Sequence, residues 1–132
     1  MLSSSLTRLL LAAPLVWAGA AFAKLSPEQQ RQLPAPASRP IDFAQDIQPI
    51  FEASCVQCHA RGKAKGSFSL ETRADFLTGG DAGAPATAGQ SAGSLVVEMI
   101  SGLNSENVMP QKGKKLTREQ VAVFRAWIDQ GM

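Results

Sequence analysis

"CVQCH", residues 55–59, holds both cysteines and the only histidine of a 132-residue chain. On a helical turn the positions i, i+3 and i+4 share one face, so Cys55, Cys58 and His59 can all address one flat object lying against it. Three other readings compete. A structural disulfide would use the two cysteines and leave His59 a coincidence. Zinc wants four ligands and the chain offers no further Cys or His, so carboxylates would have to complete the set. A thioredoxin-like redox pair expects a βαβ context that is absent around this motif.

The N-terminus bears on the choice. Residues 1–23, "MLSSSLTRLLLAAPLVWAGAAFA", open polar with Arg8, continue as an apolar run from Leu9 to Val16 and end in the small-residue pattern Ala21-Phe22-Ala23. This is the pattern of a cleavable secretory signal, with cleavage expected after Ala23. A membrane anchor is the competing reading, but the run falls short of the roughly 20 residues a spanning helix needs, and Pro14 interrupts it. A periplasmic or otherwise exported protein is expected, with no stable membrane insertion after cleavage. An oxidising compartment permits a disulfide and disfavours cytosolic zinc or thiol roles.

Spacing and export together favour covalent haem. Two thiols can each add to a vinyl group while the next residue's imidazole coordinates the iron, the arrangement that C-x-x-C-H signals. The iron's sixth position then has few candidates. With no second histidine, the thioethers beyond residue 23 are Met99, Met109 and Met132. Met99 lies in an apolar stretch where core filling is its expected role, and Met132 is terminal. Met109 precedes Pro110, whose fixed φ helps hold an extended segment across a haem face, and it is the favoured ligand. A lysine or water on the iron, with Met109 merely packing on the core, is the alternative.

Outward from the motif the pattern is helical. Upstream, Asp42 with Gln45 marks a helix start, and Phe43, Ile47, Ile50 and Phe51 form one stripe. Pro49 inside that stripe predicts a kink, or a helix restarting there. Residues 24–40, with Pro27, Pro34, Pro36 and Pro40, read as a flexible leader with at most a turn of helix near residues 26–33. Downstream comes a glycine-punctuated basic loop, then a short helix opened by Thr72 and Asp75 that carries Phe76 and Leu77. Residues 79–93 form a long loop. "SLVVEMISGL", residues 94–103, predicts a short buried helix capped by Ser94 and ended by Gly102. The clearest helix opens on the capping box of Thr117 and Gln120, carries Val121, Phe124, Trp127 and Ile128, and stops at Gly131. The expected class is all-α with long loops, residues 41–132 forming one domain.

The blocks "DFAQDIQPIFEASCVQCHA", "GSFSLETRADFLTGGDAG", "GQSAGSLVVEMISG" and "MPQKGKKLTREQVAVFRAWIDQG" resemble the planctomycete-type cytochrome c domain, a relative of the class I cytochromes c, from about residue 41 to 132. The motif alone would be common to every c-type cytochrome. "GGDAG" and the Met-Pro strap ahead of "LTREQ" and "RAWIDQG" make the resemblance specific. It implies a compact helical fold with the first and last helices crossing, one haem c held by Cys55 and Cys58, and its iron between His59 and Met109. Gln111, where the family often has a second proline, and Ala60, where glycine is frequent, depart from the pattern.

With 13 basic against 11 acidic side chains the chain carries no nucleic-acid footprint. Lys63 and Lys65, and Lys112, Lys114 and Lys115, read singly as solvated loop charge; as a set they could steer acidic redox partner proteins. With the sole histidine committed and no carboxylate pair in sight, an electron carrier is expected rather than an enzyme, and a monomer. A haem-based sensor or enzyme with an open or labile sixth iron position is the alternative.

Overall fold

The computed structural model describes residues 24–60 and 62–132. The expected signal segment and its cleavage point at Ala23 lie outside the described residues. The described chain is helical, with no strand and only an isolated bridge between Gly80 and Gly83. No helix among the described residues is long and apolar enough to cross a membrane.

Among the described residues six α-helices follow in order: α1 Pro27–Gln32, α2 Gln48–Ser54, α3 Val56–His59, α4 Arg73–Thr78, α5 Leu95–Ser101 and α6 Arg118–Asp129. A π-helical turn, Phe43–Ile47, leads into α2. Asp42 caps that turn by accepting the Gln45 N–H at 2.8 Å. Pro49 then falls in the first turn of α2, where its missing N–H costs nothing. The predicted break in the stripe is this change of helix type.

The core is aromatic and joins the upstream segment to α6. Phe43 and Phe51 lie 5.6 and 6.4 Å from Trp127, centroid to centroid, and Phe51 lies 5.7 Å from Phe124. Phe76 from α4 closes the cluster at 5.0 Å from Trp127. Each such pair adds roughly 0.5–1.5 kcal/mol beyond area burial. All four predicted stripe residues of α6 are buried. Thr117 and Gln120 form the predicted capping box, with bonds of 3.2 and 2.9 Å.

Of the two short helices, α4 starts as the sequence predicts and α5 does not. Thr72 caps α4 as expected, and Phe76 is buried, but Leu77 is 41% exposed. Ser94 stands at the N-cap of α5 without a side-chain capping bond; its hydroxyl donates to the Gln90 carbonyl at 2.8 Å and accepts from the Thr87 N–H at 3.4 Å instead. Gly102 ends α5 at φ +73°, a left-handed conformation that suits glycine.

Residues 24–40, expected as a flexible leader, pack along the domain instead. Leu25 and Leu33, which flank α1, are 4% and 7% exposed. Ser26 and Gln29 form a capping box at the start of α1. Backbone groups tie the segment down: the Ala37 N–H donates to the Ala122 carbonyl at 3.0 Å, and Arg125 donates to the Pro34 carbonyl. Gln29 Nε2 donates to the Leu103 carbonyl at 2.8 Å. Prolines suppress regular structure without preventing packing, and two leucines suffice to anchor the stretch.

Candidate functional site

Cys55, Cys58 and His59 share one turn. The N–H groups of Cys58 and His59 both donate to the Cys55 carbonyl, at 3.1 and 3.0 Å. All three residues are half-buried, and neither thiol is in a disulfide. Among the described residues no group of three or more His, Cys, Asp or Glu is placed to hold a metal ion, so the zinc reading finds no donor set. Burial pushes the Cys55 thiol up to about 11. A reactive redox cysteine has a value shifted in the opposite direction.

The imidazole is oriented by the loop that follows it. His59 Nδ1 lies 3.1 Å from the Phe68 carbonyl oxygen, and the Leu70 N–H donates to the His59 carbonyl at 2.7 Å. A carbonyl can only accept, so Nδ1 carries the proton and Nε2 keeps its lone pair. That is the arrangement by which metal-ligating histidines are held. The Phe68 ring meets the imidazole edge-on at 5.6 Å and reaches Phe76 at 6.1 Å, which links the site to the aromatic core.

"GGDAG" positions this loop. The Asp81 N–H donates to the Gly66 carbonyl at 2.8 Å. A Cβ on Gly80 would stand 2.5 Å from that same carbonyl oxygen and 2.8 Å from Phe68 Cβ, so only glycine allows the approach. Next to Phe68, the Ser69 hydroxyl is buried without a hydrogen-bond partner. An orphaned polar group of this kind calls for an explanation, and a cofactor bringing its own polar groups supplies one.

Met109 is half-buried in the segment between α5 and α6, and its N–H donates to the Met99 carbonyl at 2.9 Å. Its peptide bond to Pro110 is cis. The Pro110 carbonyl accepts from Lys115 Nζ. Met99 thus contributes its backbone to the strap. Met132, the terminal residue, is held by its N–H to the Trp127 carbonyl at 2.9 Å and by Arg73 on its own carbonyl.

The residues present fit a covalently attached haem. Two unbonded thiols and an imidazole with a free Nε2 stand on one turn, beside an unpaired buried hydroxyl. Sequence reasoning located the motif but missed what orients it, because a main-chain carbonyl such as that of Phe68 leaves no signature in residue type. It also missed Glu98, which is 3% exposed in α5 and accepts from Asn104 Nδ2 at 2.8 Å. The available signal was a single acidic residue in an otherwise apolar helix.

Neither the curated proteins nor the solved structures compared with the chain gave a match. A comparison with protein-family models did: residues 55–113, from the first motif cysteine through the Met-Pro strap, match the family described as Planctomycete cytochrome C, the family that the sequence resembles.

Proposed function

We propose that this protein is an exported monohaem c-type cytochrome that carries electrons, with His59 and Met109 as the axial ligands of the iron. The observation that carries the reading is the hydrogen bond between His59 Nδ1 and the Phe68 carbonyl, on the turn that bears both unbonded cysteines. When bound, haem supplies a one-electron couple whose potential depends on axial ligands, burial and hydrogen bonding. Cys55 and Cys58 hold it through two thioethers, so it is not lost to the surroundings. His59 presents Nε2 in one tautomer, because Phe68 fixes the proton on the other nitrogen.

Met109 presents its thioether from a strap hung on α5 through Met99. An imidazole and a thioether make up the pair found in electron-carrying cytochromes. The exposed Lys63, Lys65, Lys112, Lys114 and Lys115 give acidic redox partners a surface to approach.

Replacing Met109 by Ala tests the ligand set. The ferric protein loses the weak charge-transfer band that reports sulfur on iron, and the reduced protein binds carbon monoxide rapidly at neutral pH. If the unaltered protein already binds carbon monoxide fast and completely, the sixth position is open and the sensor or enzyme reading replaces the carrier.

A further inference from the structure

A cavity of about 300 Å³ is lined by Lys24, Ala84, Ala86, Ser94, Leu95 and Glu98 among others. None of Cys55, Cys58, His59 and Met109 lines it. Its walls are mostly small side chains, with one carboxylate among them. Glu98 is 3% exposed and receives one neutral hydrogen bond, from Asn104. The two ion pairs among the described residues, Arg31 with Glu28 and Arg39 with Asp46, leave Glu98 without a cation. A buried carboxylate is costly unless a positive charge compensates it.

Among the described residues the basic one on the cavity wall is Lys24, where the mature chain is expected to begin. In the chain as translated its nitrogen is an amide. Cleavage after Ala23 turns that nitrogen into an ammonium. Leu25, one peptide further on, is 4% exposed in the core, so the Lys24 main chain is anchored at the cavity. The Lys24 side chain, in contrast, is long and free to turn to water.

We infer that the cavity receives the chain's own processed N-terminus, the α-ammonium of Lys24 pairing with the Glu98 carboxylate. Removal of the signal then completes the fold, by supplying a charge that the longer chain lacks. The inference rests on the proposed export and on cleavage after Ala23. It is independent of what Cys55, Cys58 and His59 carry.

The test uses the full chain, exported with its own N-terminal segment. Intact mass and N-terminal sequencing come first, and a mature chain beginning anywhere but Lys24 overturns both the cleavage and the pairing. Inserting Ala-Ser between Ala23 and Lys24 keeps the processing pattern but converts the Lys24 nitrogen back to an amide. The thermal midpoint is expected to fall on the order of 5 °C, while Lys24→Ala, which keeps the α-ammonium, leaves it nearly unchanged.

In a Glu98→Gln background the insertion has no further effect. An insertion variant as stable as the mature protein, the same loss with Glu98→Gln, or a Lys24→Ala loss equal to the insertion's contradicts the pairing. If the Glu98→Gln chain does not fold, acylation of the α-amine reads the same contact: at pH 7 it proceeds at least tenfold slower in the folded protein than in the unfolded chain, and equal rates contradict the pairing.

Discussion

The α2–α6 side of the molecule and the loop side that carries the haem motif are held by different forces. Phe51, Phe124 and Trp127 are 1–2% exposed and touch one another. That side is apolar burial, which is non-directional and large. Around His59 the order comes from single directed bonds, His59 Nδ1 to Phe68, Leu70 to the His59 carbonyl and Asp81 to Gly66, and from the close approach of Gly80. Met109 likewise depends on one backbone bond to Met99. One side therefore supplies stability, and the other supplies position.

The sharpest way to break that comparison is Trp127→Ala. It removes the ring shared by Phe43, Phe51, Phe76 and Phe124, and about 3–5 kcal/mol of stability is expected to go with it, read as a lower denaturant midpoint. Gly80→Ala acts on the other side. Its Cβ would meet the Gly66 carbonyl and Phe68, so the loop must shift at a cost of roughly 1–3 kcal/mol, with a change in the visible spectrum as the His59 partner moves. A larger stability loss from Gly80→Ala than from Trp127→Ala would invert the assignment.

The smallest expected effect lies at the periphery. The Arg39 guanidinium, hydrogen-bonded to Asp46, holds that carboxyl at about 2, below its ordinary 3.8. A carboxylate with a depressed value stabilises the folded state above its ordinary range, and the contribution is lost as pH falls from about 4 towards 2. Arg39→Ala lowers the denaturant midpoint slightly at pH 7 and flattens its fall over that window, so that the two proteins converge near pH 2. An unaltered acid limb would show that the pair contributes nothing.

Legibility in the sequence follows the same division. The core helices could be read because periodicity and caps are written in residue type: Thr117 with Gln120, then Val121, Phe124, Trp127 and Ile128. The attachment motif could be read because three chemically distinctive side chains sit at helical spacing. Main-chain roles could not be read, which is why the Phe68 carbonyl went unseen. Ser94 looked like a side-chain cap, but its hydroxyl accepts from the Thr87 N–H and donates to the Gln90 carbonyl. Proline content concealed the packing of residues 24–40, whose anchors are two leucines and a set of backbone carbonyls.

The central claim is that Cys55 and Cys58 carry a covalent porphyrin. Its most direct test is the intact mass of the exported protein made with c-type haem assembly machinery and denatured before measurement. The account predicts the polypeptide mass plus one haem, lost when both cysteines are replaced by alanine. A polypeptide of bare mass would contradict it.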